Sequence, residues 1–312
     1  MAPARPADGR FAPSPTGPLH LGNLRTALLA WLFARSGGGR LLLRIEDLDP
    51  QRSRSEHERG QRDDLRALGL AWDGELPRQS ERTECYRAAV KRLREAGRTY
   101  PCWCSRADIR AATRAPHGPT PEGAYPGTCR GLSAAERARR ERDGARPPAL
   151  RLDARAEAVR FEDRVHGPVE RVVDDFVLWR SQDAPAYNLA VLVDDAEQGI
   201  GEVVRGDDLL DTTPRQILLA RLLGLRAPRY AHVPLVLGPA GERLAKRRGA
   251  VTLGDLADRG ETPADALAWM ARSLGLAGPG EAPTPGALLE RFDPDRLSRA
   301  PTTLDVTAAA LA

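Results

Sequence analysis

The spacing of apolar residues changes period several times along the chain. Residues 9–12 (Gly-Arg-Phe-Ala) have strand character and lead into Pro13-Ser14-Pro15-Thr16-Gly17-Pro18, a loop stiffened by three prolines. From about residue 21 to 34, Leu24, Leu28, Leu29, Trp31 and Leu32 fall on or near one face of a predicted helix. The Gly-rich turn at 36–39 ends it, and 40–45 is a compact apolar run that reads as a buried strand. Strand, helix and strand in succession predict a βαβ unit, and hence a parallel sheet. Further helices are predicted near 54–68 and 80–97, strands at 171–178 and 189–194, a helix near 211–223 and a strand at 232–237. Residues 100–150 lose periodicity and gain Cys, Pro, Gly and Arg, the mark of an insertion. After residue 250 the pattern is helical, with a Gly/Pro/Ala linker at 278–285 and a frayed end at 307–312. There is no internal repeat.

Composition narrows the class. The 312 residues suffice for one large α/β domain with an insertion, or for two domains. An apolar content of 41% and an aromatic content of 5% are ordinary for a water-soluble folded chain. No window approaches the roughly 20 uninterrupted apolar residues of a membrane span. Met1-Ala-Pro-Ala-Arg-Pro-Ala-Asp carries no apolar core of a secretory signal. The expected location is the cytoplasm, with no membrane partner. A net charge of +4 permits an anionic partner without requiring one. Lys91 and Lys246 are the only lysines. The cysteines are Cys85, Cys102, Cys104 and Cys129. Structural disulfides do not suit a cytosolic chain, and the clustering of three of them points to a metal.

Helix N-termini carry unpaired N–H groups and a positive dipole end, which suits phosphate. His20 stands at such a terminus, where its imidazole can bond a phosphate oxygen, and Gly22 would let a ligand lie against the backbone. The segment Arg10-Phe11-Ala12-Pro13-Ser14-Pro15-Thr16-Gly17-Pro18-Leu19-His20-Leu21-Gly22-Asn23 closely resembles the opening of the glutamyl-tRNA synthetases and their truncated relatives, among the class I aminoacyl-tRNA synthetases. Asn23 stands where other members of that class often carry His. A second segment, Arg243-Leu244-Ala245-Lys246-Arg247, resembles the Lys-Met-Ser-Lys-Ser loop of the class, whose last lysine stabilises a triphosphate. Arg243 and Ala245 depart from that pattern, which leaves Lys246 to carry the role. A flexible ammonium is a compact point charge able to follow a departing phosphate. The resemblance continues through 44–50, 186–195 and 204–210.

The resemblance implies an α/β, Rossmann-type class I aminoacyl-tRNA synthetase catalytic domain with a zinc-containing insertion and a short helical C-terminal part. The expected division is 8–99 for the first catalytic half, 100–170 for the insertion with its zinc module, 171–250 for the second half with the Lys246 loop, and 251–312 for the helical end. It implies ATP, with Mg²⁺, held by His20, Gly22, Asn23 and Lys246, of which His20 and Lys246 are catalytic. It also implies L-glutamate held by Arg10, Phe11, Ala12, Pro13, Ser14, Glu46, Tyr187 and Arg205. The residue types suit that substrate. Arg10 and Arg205 can each clamp a carboxylate bidentately, Glu46 can take the ammonium, and Tyr187 and Ser14 add directional hydrogen bonds.

Cys102-Trp103-Cys104 and Cys129 leave a tetrahedral zinc site one ligand short, with His117 the only histidine nearby. The glutamyl-queuosine tRNA(Asp) synthetase subgroup is similar here: it carries Cys-x-Cys and then Tyr-x-x-x-Cys, with Tyr as fourth ligand. Tyr125-Pro126-Gly127-Thr128-Cys129 matches it. The resemblance thus implies one structural Zn²⁺ on Cys102, Cys104, Tyr125 and Cys129, a staple that suits a module poor in apolar residues. Cys85 falls on the apolar side of a helix and reads as core. Only about 60 residues follow Lys246, where a helical anticodon-binding domain needs on the order of 100 or more. The activity this implies is tRNA-independent activation of glutamate to glutamyl-adenylate, then transfer to queuosine in the anticodon loop of tRNA(Asp), by a monomer. Two other readings stay open at this point. One is an ordinary synthetase charging a tRNA 3′ end; the other is a catalytically silent tRNA-binding module.

Overall fold

The computed structural model describes residues 7–113, 125–144, 147–244 and 251–304. Strand β1 (Gly9–Phe11), helix α1 (Leu21–Ser36) and strand β2 (Leu41–Leu43) form the expected βαβ unit, with β1 and β2 parallel. Helix α2 (Ser55–Ala67), strand β3 (Gly74–Glu75) and helix α3 (Thr83–Glu95) complete the first half. Strand β4 (Thr99–Cys102), helices α4 (Arg106–Thr113) and α5 (Ala134–Asp143) and strand β5 (Ala149–Leu152) follow. Next come β6 (Ala158–Asp163), β7 (Gly167–Val172), β8 (Val177–Arg180) and β9 (Ala184–Pro185). The second half holds α6 (Tyr187–Glu197), β10 (Glu202–Gly206), α7 (Thr213–Leu223), β11 (Arg229–Val233) and β12 (Val236–Leu237). Helices α8 (Leu253–Ala257), α9 (Pro263–Ser273) and α10 (Pro285–Arg291) precede β13 (Thr302–Thr303), which pairs with β12.

The main sheet has the order β3-β2-β1-β10-β11-β6-β7 and is parallel except for the β6–β7 hairpin. A separate antiparallel sheet, β4-β5-β8-β9, carries the inserted segment. Helices cover both faces of the main sheet. Helix α1 packs on one face with α9 and α10, and α3, α6 and α7 pack on the other. The pleat sorts side chains between the two cores: Leu41 and Leu43 go to the first and Leu42 to the second. On the α3–α6–α7 face, an apolar residue of β2, β10 and β11 is followed two positions later by a cation or an imidazole. Leu42 gives way to Arg44, Val203 to Arg205 and Tyr230 to His232. That face turns from apolar to ionic toward the C-terminal ends of the strands.

Several expected elements differ. Residues 189–194 are not a strand but the middle of α6. Leu189 to Asp195 are all buried there, and a helix that is apolar all round has no period to set it apart from a buried strand. The strand expected at 171–178 is two strands interrupted at 173–176, where buried Asp175 takes the Ala154 N–H at 2.8 Å. The strand expected at 232–237 begins earlier, at Arg229, and breaks after Val233, where Pro234 offers no N–H to a ladder. The insertion expected over 100–170 has other bounds, because the β6–β7 hairpin joins the main sheet through the pairing of Asp163 with Tyr230, while β8 and β9 belong to the separate sheet. Among the described residues, no helix is long and apolar enough to cross a membrane.

Candidate active site

Strand order reverses between β1 and β10, and the C-terminal ends of these strands open onto a cavity of about 500 Å³. Ligands of doubly wound sheets bind at such a switch point, where the loops diverge. Arg10, Phe11, Ala12, Pro13, Ser14, His20, Gly22, Asn23, Glu46, Tyr187 and Arg205 all line it, with Arg243 and Leu244 at its edge. Lys246 lies outside the described residues, as does His117. The 12–18 loop is braced from α2 and its approach. Gln61 Nε2 donates to the carbonyls of Ser14 and Gly17 at 3.0 and 2.7 Å, and the Arg54 N–H donates to that of Pro15.

His20 caps α1. Its Nδ1 accepts from the Asn23 N–H, and Asn23 Oδ1 accepts from the His20 N–H, both at 3.3 Å. In a neutral ring that bond puts the proton on Nε2, the nitrogen able to donate to a phosphate oxygen. The Leu21 N–H is taken by the Val251 carbonyl at 2.8 Å. Among the described residues only the Gly22 N–H of the first turn is left open, so the expected group of free amides narrows to one plus the dipole. A Cβ on Gly22 would lie 3.1 Å from two atoms of the His20 ring. Glycine there makes room for the imidazole as well as for a ligand.

The polar floor of the cavity is a buried network. Arg10 and Arg205 are each 5% exposed. Arg205 Nε donates to His232 Nε2 at 3.1 Å, and Nη2 donates to Thr213 Oγ1 and Gln216 Oε1 at 2.8 and 2.9 Å. Nη1 meets the Tyr187 hydroxyl at 3.4 Å and keeps capacity for a further bond. Arg205 therefore offers a carboxylate its Nη1 end beside Tyr187, rather than the bidentate edge expected of it. Arg10 gives Nε to Asp195 Oδ1 at 3.4 Å and Nη1 to the Val204 carbonyl at 3.2 Å, leaving Nη2.

Arg44 lies beneath, fully buried. It donates to Asp195 Oδ1 at 2.7 Å, Gln198 Oε1 at 2.9 Å and Glu46 Oε1 at 3.1 Å. Burial works against its charge, but Asp195, Glu46 and Asp194 outweigh burial and hold it protonated. Asp194 in turn accepts from Gln79, Arg82 and the Tyr86 hydroxyl. Burial pushes the Glu46 carboxyl above its ordinary range, against the pull of Arg44 and Arg10. An arriving ammonium would favour its charged form. Sequence reasoning quoted Arg44 and Asp195 in motifs without giving them a role, and missed Gln61, Thr213, Gln216, Asp163 and His232. A histidine between Ala231 and Val233 in a buried run was the one signal that could have found His232.

A second cleft, of about 970 Å³, shares Ser14, Thr16, Glu46 and Tyr187 with the first and runs to Cys102 and Cys104. Arg52, Arg106, Arg151 and Arg180 stand along it. At its far end the thiols of Cys102, Cys104 and Cys129 lie within 4.8 Å of one another and could hold a metal ion. The Tyr125 hydroxyl is 3.4 Å from Cys102 Sγ and 3.7 Å from Cys104 Sγ, and Cys104 and Cys129 are 3.6 Å apart. Sulfur atoms bound tetrahedrally at zinc–sulfur distances stand about 3.8 Å apart, so the donor set has the right scale. Cys85 is half-buried against the α3–α6–α7 core, away from this cluster.

Residues 7–284 match the family model of the catalytic domain of class I tRNA synthetases (E and Q). The chain is 58% identical to the glutamyl-Q tRNA(Asp) synthetase of Nocardia farcinica, over 97% of this chain and 95% of that protein. It is 50% identical to the enzyme of the same name from Symbiobacterium thermophilum, over 97% and 98%. Among solved structures, a glutamate tRNA ligase from Elizabethkingia meningosepticum in complex with its amino acid superposes with a TM-score of 0.80 at 27% identity, covering 98% of this chain and 68% of the other. With a doubly wound sheet whose switch-point cavity is lined by the histidine-capped helix and by Arg10, Glu46 and Arg205, the chain belongs to the class I tRNA synthetases of the glutamyl and glutaminyl type, and within them to the glutamyl-Q tRNA(Asp) synthetases.

Proposed function

We propose that this chain activates L-glutamate with ATP in the absence of tRNA and transfers the glutamyl group to queuosine in the anticodon loop of tRNA(Asp). The observation that carries the glutamate half is the convergence of Arg10, Arg205, Tyr187 and Glu46 beside the capped N-terminus of α1. Arg205 and Arg10 meet the carboxylates and Glu46 meets the ammonium; Phe11, Ala12, Pro13 and Ser14 complete the wall. ATP enters as its Mg²⁺ complex against His20, Gly22 and Asn23. The glutamate α-carboxylate attacks the α-phosphorus in line, pyrophosphate leaves, and glutamyl-adenylate remains. Positioning and charge stabilisation supply the catalysis, with His20 and Lys246 at the phosphates. The flanks of Lys246 support that role: Leu244 lines the cavity, and the Val251 carbonyl bonds the first turn of α1. The acceptor half rests on the named relatives, and on a second cleft that adjoins the first and has arginines to meet RNA phosphates.

In this scheme 8–99, the 158–172 hairpin and 186–250 form the catalytic unit. The rest of the inserted segment is a module stapled by Zn²⁺ on Cys102, Cys104, Tyr125 and Cys129, and the chain acts as a cytoplasmic monomer. Glutamate-dependent ATP–pyrophosphate exchange without tRNA, followed by charging of queuosine-containing tRNA(Asp), is the expected result. Charging of unmodified tRNA(Glu) alone would favour the ordinary synthetase, and no exchange at all would favour the silent module. The metal has its own test. Cys102→Ser should lose most of the bound zinc measured by elemental analysis, while Cys85→Ser keeps it. Full zinc content in Cys102→Ser refutes the site.

A further inference from the structure

Asp163 and His232 lie behind Arg205, outside the cavity lining, and no step of the proposed chemistry uses them. Both side chains are fully buried. Asp163 Oδ2 accepts from His232 Nδ1 at 2.6 Å, while Oδ1 accepts from the N–H groups of Val165 and His166 at 3.0 and 2.9 Å. A carboxylate on that side fixes the ring proton on Nδ1. Nε2 then turns a lone pair toward Arg205 Nε–H at 3.1 Å. Thr213 Oγ1 lies 2.9 Å from the same nitrogen and 3.1 Å from the Leu209 carbonyl, and with Nε2 bare its single hydroxyl proton goes to the nitrogen. The Tyr230 ring, two positions earlier on β11, lies nearly parallel to the imidazole with 5.9 Å between centroids.

The charges agree with this arrangement. Asp163 and Arg205 balance across a neutral imidazole. Burial lowers the His232 pKa from its ordinary value, against the pull of Asp163 and with the help of Arg205 and His166, so the ring stays neutral. Burial works against the charge of Asp163, but the imidazole and the loop N–H groups hold its carboxyl below the usual range.

A guanidinium has five N–H donors and several edges. His232, Thr213 and Gln216 claim three of them here and leave Nη1 toward the cavity. An arginine fixed in this way loses little rotamer freedom when a carboxylate arrives.

We propose that Asp163 and His232 are positioning residues for glutamate. Asp163 sets the imidazole tautomer, and His232 Nε2 fixes Arg205 so that its Nη1 end faces the substrate carboxylate. This rests on the reading of the cavity as the glutamate site.

Asp163→Asn is the test, because it keeps the shape and reverses the bond to the ring, while the His232 N–H, shared between Oδ2 at 3.2 Å and Oδ1 at 3.3 Å, retains the amide oxygen as its acceptor. The Val165 and His166 N–H groups hold the amide oxygen on their side, which turns the amide NH₂ toward His232 Nδ1. The ring proton must then move to Nε2, where it meets Arg205 Nε–H donor to donor. The KM for glutamate in the exchange assay should rise about 10-fold or more, with the KM for ATP within about twofold. His232→Leu should match it, and His232→Gln, whose amide oxygen can stand in for Nε2, should recover much of the loss. Nitrogen NMR of ¹⁵N-histidine-labelled protein should show a buried ring bare at Nε2 in the wild type and protonated there in Asp163→Asn. A folded Asp163→Asn protein with unchanged KM for glutamate, or with both KM values raised together, overturns the proposal. So does a wild-type ring protonated at Nε2. Should Asp163→Asn fail to fold, the wild-type tautomer and the Gln and Leu variants decide. Absence of exchange in the wild type would refute the glutamate reading instead, and the tautomer would still judge the positioning of Arg205.

Discussion

Arg205→Leu is expected to lower kcat/KM for glutamate in ATP–pyrophosphate exchange by about 10²- to 10³-fold, with the KM for ATP within about twofold. Two losses combine. The substrate carboxylate loses a charge-assisted bond inside a cavity where little water can replace it. His232, Thr213 and Gln216 also lose the donor they share, and buried acceptors left unsatisfied cost about 1–3 kcal/mol each. Arg205→Lys should fall between wild type and Leu, because an ammonium keeps the charge but cannot reach three acceptors in one plane. A loss under about fivefold in Arg205→Leu, well short of a single charged hydrogen bond, would mean that the carboxylate is held elsewhere, with Arg10 the first alternative.

Arg44→Met is expected to cost about 3–5 kcal/mol of stability, seen as a lower thermal midpoint, and to lower glutamate exchange as well. Arg44 is fully buried and is the cation nearest to Asp195 and Glu46. Methionine fills much of the volume, so the loss reports stranded carboxylates rather than a cavity. Lowering the pH should shrink the deficit, since protonating a stranded carboxyl removes the uncompensated charge. A variant as stable as the wild type at neutral pH would show that Arg82 and Arg10 suffice for the cluster.

Much of this architecture was legible because local signals and the fold agree. The βαβ opening, the Gly-rich stop after α1 and the helices of the first half are set by residues adjacent in sequence. The lining of the cavity was legible through the resemblance in segments 10–23, 44–50, 186–195 and 204–210. What was missed is non-local. Helix α6 has no polar stripe because α3, α7 and the sheet cover it, so its period gave nothing to read. Asp163 belongs to a hairpin whose place in the sheet depends on one pairing with Tyr230. Its partner His232 is 69 positions away, and no local pattern joins the two. The limited donor capacity of Arg205 was likewise invisible, because His232, Thr213 and Gln216 meet it only in the folded chain.

The change from apolar to ionic side chains along one face of the sheet has a consequence for assembly. A parallel strand that slips by two residues keeps its faces and loses only its partners, so alternation alone guards poorly against that error. Here the same slip would carry Arg44 into the place of Leu42, or Arg205 into that of Val203, and would bury an unpaired guanidinium among aliphatic side chains. The charges that make the pocket therefore also lock β2 and β10 in alignment. A substitution that neutralised them would loosen not only the substrate but the choice among strand registers.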